Sequence, residues 1–360
     1  MKMQNPKRIC LLPGDGIGPE VLQPAVEVLE HVAASAGLAI QTTVAKVGGD
    51  ALDHFGTPLP EETIQACRTS DAVLLGAVGG PKWDRYALHL RPEKGLLGIR
   101  KDLALYANIR PVRQIAALVD RSTLRREVVE GVDLVVVREL TGGLYYGQPR
   151  GVSGDPGEEV ALNTMVYSRG EIERIARTAF DLARKRRGKV VSVDKANVLE
   201  VSVLWRKVVA AIHEDYREVT LEHQYVDNCA MQLVLNPRQF DVILTENTFG
   251  DILSDIGGVL TGSIGTLPSA STGAGPALYE PIHGSAPDIA GKGIANPVGA
   301  IVCVAMMFEL SFGRPDLAGK ITQAVDGVLA DGYRTKDLCR QGDRAVNTVE
   351  FSDLVMRRLA

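Results

Sequence analysis

Short apolar, β-branched runs alternate along the chain with longer stretches of helical periodicity, and this alternation predicts an α/β protein. The first run, residues 9–12, closes at Pro13-Gly14-Asp15-Gly16 and gives way to 19–32, where apolar residues recur at helical spacing. The same grammar of strand, turn and helix predicts strands at 71–76, 132–137, 190–193, 219–225 and 240–244, suited to a sheet covered by helices. Helices are predicted at 169–186, 198–214, 251–260 and 297–310. A Gly-, Ser- and Pro-rich segment, 262–299, interrupts the pattern and carries His283, Asp288 and Asn296. A loop of that length is usually functional or disordered, and its anchors Leu267, Ala277, Leu278, Ile282 and Ile289 argue against disorder. No internal repeat is present.

Composition narrows the classes. At 360 residues, 45% hydrophobic and 23% charged, the chain has the balance of a globular protein of two ordinary domains. The formal charge of -4, from 40 basic and 44 acidic residues, gives no electrostatic reason to expect a nucleic acid partner. The basic run 184–187 reads as the solvated end of a helix, where cations suit the negative pole. Five widely spaced cysteines without a Cys-x-x-Cys pair argue against a disulfide framework or a zinc site, and a reducing cytoplasm is expected. Residues 1–8 lack the features of a signal peptide, so secretion is not expected. The apolar run 298–308 is about half the length a bilayer requires, which predicts a buried helix and no membrane partner.

Candidate chemistry concentrates at Thr245-Glu246-Asn247-Thr248-Phe249-Gly250-Asp251-Ile252-Leu253-Ser254-Asp255. Asp251 and Asp255 fall on one helical face just past a strand, where ligands bind in α/β sheets. Two such carboxylates repel each other unless a cation joins them, and a divalent metal is the simplest partner. An isolated Asp-x-x-x-Asp is more often a solvated helix start. The turn Gly14-Asp15-Gly16-Ile17-Gly18-Pro19 mimics a dinucleotide fingerprint, but Pro19 replaces the last glycine and 38–44 holds no ribose-binding acid, so a Rossmann fold is excluded. The turn can still approach a nucleotide or be structural. Arg100, Arg110 and Arg138 sit at punctuated positions, and guanidinium forks match a substrate with more than one carboxylate. Lys195 and Asp227 each follow a strand, and Tyr145 lies in Gly142-Gly143-Leu144-Tyr145-Tyr146-Gly147. A desolvated lysine can act as a base and a phenol can deliver a proton, although each residue alone is more often a surface charge or packed aromatic.

In this order the segments resemble the metal-dependent β-decarboxylating dehydrogenases, a family that includes isopropylmalate, isocitrate, homoisocitrate, tartrate and D-malate dehydrogenases. The likeness runs from Gly14-Asp15-Gly16-Ile17-Gly18-Pro19-Glu20 to Gly342-Asp343. Its most specific part is Asn247 to Asp255 followed by Gly257-Gly258. The resemblance implies an isopropylmalate/isocitrate dehydrogenase-like two-domain α/β fold with a shared twisted mixed sheet. The NAD-binding first domain would be 1–105 plus 262–360, and the second, 106–261, would carry dimerisation, metal and substrate residues. It further implies Tyr145 and Lys195 as catalytic residues, Asp227, Asp251 and Asp255 as ligands of Mg²⁺ or Mn²⁺, and Arg100, Arg110 and Arg138 on the malate. Lys195 and Asp227, the latter also touching substrate, would come from the other subunit of a homodimer.

Relatives of the isocitrate type carry Ser or Thr before the first arginine. Here Leu96 and Leu97 stand there, and with Val198 they offer an apolar wall that suits an isopropyl group and leaves an extra carboxylate unpaired. Glu93 matches a residue between this pocket and the nicotinamide. The resemblance assigns Ile17, Glu280, His283, Gly284, Ser285, Ala286, Asp288, Ala295 and Asn296 to the cofactor. Asp288 would bind ribose hydroxyls and repel a 2′-phosphate, favouring NAD. Tyr146, often phenylalanine in relatives, is expected to matter little. The implied activity is NAD-dependent oxidative decarboxylation of (2R,3S)-3-isopropylmalate in leucine biosynthesis, with D-malate or tartrate oxidation as the alternative.

Overall fold

The computed structural model describes residues 5–360. Its strands are β1 (Lys7–Gly14), β2 (Ile40–Val44), β3 (Ala72–Ala77), β4 (Leu105–Arg113), β5 (Asp133–Glu139), β6 (Gly151–Ser153), β7 (Val160–Leu162), β8 (Lys189–Asp194), β9 (Thr220–Tyr225), β10 (Val242–Thr245), β11 (Pro268–Gly273), β12 (Ala277–Pro281), β13 (Tyr333–Arg334) and β14 (Arg344–Ala345). The helices are α1 (Gly18–Ser35), α2 (Gly48–Phe55), α3 (Glu61–Arg68), α4 (Glu93–Asp102), α5 (Arg126–Val129), α6 (Arg169–Arg184), α7 (Glu200–His213), α8 (Val226–Leu235), α9 (Asn247–Thr261), α10 (Val298–Leu310), α11 (Pro315–Ala330) and α12 (Thr348–Leu359).

Ten strands form one mixed sheet in the order β2-β1-β3-β12-β11-β4-β5-β10-β8-β9. Pairing is parallel in both wings and antiparallel at β12–β11, β11–β4 and β4–β5 in the centre. That order and the central antiparallel strands differ from a Rossmann sheet. The period of two explains why helices cover both faces. Along β1, Ile9 and Leu11 join one apolar cluster while Cys10 and Leu12 join another. Along β5, Val135 and Val137 face one cluster and Leu134 and Val136 the opposite one. Two clusters draw their buried residues from 9–118 and 270–355, and two from 107–267.

Every strand predicted from an apolar run is present, as β1, β3, β5, β8, β9 and β10. The predicted helices are α1, α6, α7, α9 and α10. The 298–308 run lies in α10, whose residues are almost all buried, and no helix among those described is long and apolar enough to cross a membrane. Helix α9 starts at Asn247, ahead of the predicted 251, because the Glu246 side chain caps it by accepting from the Thr248 and Phe249 amides.

Three features depart from the pattern reading. The 262–299 segment supplies β11 and β12, two strands at the centre of the sheet, where the pattern shows a loop. Strand β4 also goes unpredicted, because polar Asn108, Arg110 and Pro111 interrupt its apolar positions. The basic run is not wholly solvated: Arg186, largely buried, reaches Asp133 at 2.9 Å and Asp241 at 2.8 Å, tying α6 to two strand ends.

Candidate active site

Arg138 belongs to β5 itself, not to the turn after it, and it pairs in register with Thr245 of β10. This brings it beneath the first turn of α9. Only 2% exposed, it uses Nε and Nη2 to donate to Asn247 Oδ1 at 3.1 and 2.7 Å, and Nη1 to donate to Asp251 Oδ1 at 2.5 Å. Gly250 makes the approach possible, since a Cβ there would lie 2.6 Å from Arg138 Cγ. Arg110, on β4, donates to Asn108 Oδ1 and Ser254 Oγ, both at 2.6 Å, and lies 3.6 Å from Asp251 and 3.5 Å from Asp255. Tyr145 donates its phenolic hydrogen to Asp251 Oδ2 at 2.9 Å. Arg100, on α4, pairs with buried Glu280 at 2.5 Å.

These contacts shape the proton affinities. Burial pushes Asp251 up, but Arg138 and Arg110 outweigh it and hold the carboxyl below its ordinary value. Burial raises Asp255, which has Arg110 at 3.5 Å but no ion pair with Arg138. Tyr145 is pushed up to about 12, first by desolvation and then by Asp251, so the phenol keeps its proton through the neutral range. Desolvation and neighbouring Arg138 lower Arg110 to about 10, still a cation at neutral pH.

A cavity of about 290 Å³ gathers Glu93, Leu96, Leu97, Arg100, Arg110, Arg138, Tyr145, Asp251, Glu280, His283 and Gly284. Asp255 lies at its edge through Arg110, and its side chain is exposed. Lys195, Asp227 and Val198 do not line this cavity. Lys195 Nζ instead donates to Asp227 Oδ1 at 2.7 Å on an outer face, where Val198 is 69% exposed. The lysine holds the Asp227 carboxyl below its ordinary value. Among the described residues of one chain, no three His, Cys, Asp or Glu side chains converge as a metal cage.

A second cavity, about 400 Å³, is lined by Ile17, His283, Ala286 and Asn296 from the predicted set. The glycine turn reaches it through Ile17, whose amide donates to the Ser285 carbonyl at 2.8 Å; Gly16, at φ +59°, has no room for a Cβ, which would fall 2.0 Å from that carbonyl oxygen. His283 is buried with Nε2 unpartnered, and desolvation lowers its pKa. Ser285 is buried beside the turn, Asp288 is exposed, and the Ala295 amide is taken by Glu20 at 2.8 Å.

Sequence reasoning missed several residues. Lys336 and Asp337 line the second cavity, and Asp337 accepts from Asn296 Nδ2 at 2.9 Å and from Ser263 Oγ at 2.5 Å. No local pattern marks them. Buried Asp15 accepts from the amides of Gly49, Asp50 and Gly79, each at 2.8 Å, and so ties the glycine turn to the start of α2 and to the loop after β3. Its place between Gly14 and Gly16 was the available signal. Asn247 and Asn108, which hold Arg138 and Arg110, were also unassigned. A larger cavity of about 490 Å³ presents no unpaired cation, because its Arg113 and Arg186 are taken by Asp326 and Asp133.

The family model described as isocitrate/isopropylmalate dehydrogenase matches residues 8–355. A 3-isopropylmalate dehydrogenase of Halalkalibacterium halodurans is 55% identical over 354 residues, 98% of either chain. Another, of Geobacillus kaustophilus, is 58% identical over 96% of this chain and 93% of the relative. Among solved structures, isocitrate dehydrogenase from Methylococcus capsulatus superposes with a TM-score of 0.87 at 37% identity, covering 98% of this chain and 99% of that one. A β-decarboxylating dehydrogenase of Thermococcus kodakarensis gives 0.78 at 36% identity over 98% and 96%. Matched over nearly its whole length, the chain belongs to the isocitrate/isopropylmalate dehydrogenase family.

Proposed function

We propose that this chain catalyses the NAD-dependent oxidative decarboxylation of (2R,3S)-3-isopropylmalate to 4-methyl-2-oxopentanoate and CO₂, the oxidative step of leucine biosynthesis. The observation that carries the reading is one cavity in which Leu96 and Leu97 stand beside Arg100, Arg110 and Arg138. Cations suit the two carboxylates of the malate, and the leucines suit its branched alkyl group but would leave a third carboxylate desolvated. The relatives named 3-isopropylmalate dehydrogenase above support the same substrate.

The donor set fits a hard divalent cation only when two copies contribute. Asp251 and Asp255 are one helical turn apart, and the exposed Asp227 of a second copy is the third carboxylate for Mg²⁺ or Mn²⁺. Exposed apolar residues on α8 and α9 (Met231, Leu235, Ile252, Val259) and on the β6–β7 hairpin (Val152, Val160, Leu162) support a homodimer with shared sites. Val198 then joins the leucine wall from the second copy. The His283 nitrogen without a partner and the apolar Ile17, Ile289 and Ile294 fit an adenine in the second cavity. Ser285, Ala286, Gly284, Ala295, Asn296 and Glu280 complete the NAD contacts, and Asp288 disfavours a 2′-phosphate. The two domains are 1–105 with 262–360, and 106–261, with the catalytic cleft between them.

Held by Asp251, Asp255 and the second copy's Asp227, Mg²⁺ or Mn²⁺ would supply Lewis acidity at the C2 hydroxyl and compensate negative charge that develops there. The arginines orient the two carboxylates. Lys195 of the second copy takes the C2 hydroxyl proton, and Glu93 separates the alkyl pocket from the nicotinamide. Tyr145, still protonated at neutral pH, delivers a proton to C3.

NADH formation with Mg²⁺, comparing 3-isopropylmalate, D-malate and isocitrate with and without EDTA, tests the reading. A preference for 3-isopropylmalate of at least about 10²-fold, ~2.7 kcal/mol, is expected. Preference for D-malate would overturn the substrate, and EDTA-insensitive turnover would overturn the metal role of the aspartates.

A further inference from the structure

Tyr146 stands next to Tyr145 but does not line the arginine cavity. Its hydroxyl, half-buried, donates to the backbone carbonyl of Leu97 at 3.3 Å. Leu97 belongs to α4, which also carries Leu96 and Arg100. Tyr146 belongs to the turn after β5, which is closed by the Gly147 amide on the Gly143 carbonyl at 2.9 Å. Among the described residues this is the one hydrogen bond between α4 and that turn. It therefore spans from the apolar wall to the element that presents Tyr145. Burial pushes the Tyr146 phenol above its ordinary pKa, which keeps it a donor at neutral pH. The sequence reading, in which Tyr146 matters little, omits this contact.

We propose that Tyr146 is a positioning residue for specificity: its hydroxyl holds the Leu96–Leu97 wall at a set distance from Tyr145 and so fixes the width of the slot for a branched C3 substituent. Phenylalanine at this position keeps the ring packing and loses the tie, which lets α4 move away from the turn. A substrate with a bulky C3 group depends on that width, whereas D-malate, with nothing at C3, does not touch the wall. The inference rests on the reading that the alkyl group seats against Leu96 and Leu97.

The test is Tyr146→Phe in the full-length enzyme, with kcat and KM measured for 3-isopropylmalate and D-malate under saturating NAD and Mg²⁺. For 3-isopropylmalate, kcat/KM falls about fivefold, the worth of one neutral hydrogen bond at ~1 kcal/mol, and most of the fall lies in KM. The value for D-malate changes less than about twofold and the thermal midpoint stays in place. Equal losses on both substrates, or an unchanged ratio, overturn the proposal and leave the substrate reading standing. Absence of 3-isopropylmalate turnover by the parent enzyme overturns both.

Discussion

The separation of Lys195 and Asp227 from the cavity that holds Tyr145 and Asp251 leads to a test of where the complete site resides. Asp251→Asn removes a carboxylate charge and keeps one amide oxygen to accept from Arg138, 2.5 Å away, while its amide nitrogen turns to the Tyr145 hydroxyl, 2.9 Å away, whose oxygen can accept. Lys195→Met removes the ammonium and keeps the stem. It breaks a pair whose aspartate is 66% exposed, so the folding penalty is below about 1 kcal/mol. Each variant homodimer has two damaged sites. In a heterodimer with shared sites, one site collects both lesions and the other collects none, so its activity is about half that of the parent enzyme. An unselected equal mixture, in which about half of the dimers are heterodimers, returns roughly one quarter. Co-expression with two affinity tags and tandem purification isolates the heterodimer, and NADH formation with 3-isopropylmalate reads the result. A heterodimer as inactive as its parents would refute the reasoning, because a site contained in one chain leaves no intact copy in that species.

Asn247→Ala strips two hydrogen bonds from a buried guanidinium whose one other acceptor is Asp251, a loss of ~3 kcal/mol that predicts a drop in kcat/KM of about 10²-fold; a loss under threefold in a folded variant would contradict the clamp. Stability is also expected to depend on pH through His283 and His223, both lowered below the usual 6.5, first by burial. With the folded pKa depressed, the unfolded chain takes up protons that the folded chain refuses, so the contribution is whole above 6.5 and is lost as pH falls through the folded values. Thermal midpoints should fall from about pH 7.5 down to about 5.5 as the unfolding free energy drops by at most ~1.4 kcal/mol per unit for each histidine, and a His223→Asn, His283→Asn variant should flatten the slope. An unaltered slope in that variant would assign the dependence to other groups.

What could be read from the chain tracks the range over which a residue's role is decided. Strands β1, β3, β5, β8 and β10 announce themselves because each needs apolar residues on both faces. The pair Asp251 and Asp255 is legible because a helix fixes their mutual position locally. Strand β11 is not, although Pro268 to Ser271 are all buried. Helix α10 presses so close that a Cβ on Gly299 would sit 3.0 Å from the Leu267 carbonyl, so this stretch of sheet is built of small residues that read as a loop. The hydroxyls there are spent in the sheet: Ser269 donates to the Glu280 carbonyl at 2.9 Å and Ser271 accepts from Asn108 at 3.1 Å.

The same limit applies to the arginines and explains a choice of partners that spacing does not reveal. Arg110 is held by Asn108 and Ser254, and Arg138 by Asn247, all neutral acceptors, while a single carboxylate, Asp251, lies against both. A carboxylate in each of those places would satisfy the same donors but cancel the charge that a dianionic substrate needs. Arg100 shows the alternative, since Glu280 neutralises it at 2.5 Å. Arg138 meets Asp251 at the same 2.5 Å, so Arg110, whose carboxylates lie 3.5 and 3.6 Å away, keeps most of the cationic pull. Replacing Asn247 by Asp would keep the Arg138 guanidinium in place and add a second negative charge beside it, so Asn247→Asp should raise KM for the dianionic 3-isopropylmalate while Arg138 stays ordered. A KM equal to that of the parent enzyme would show that the amides do no more than hold the arginines still.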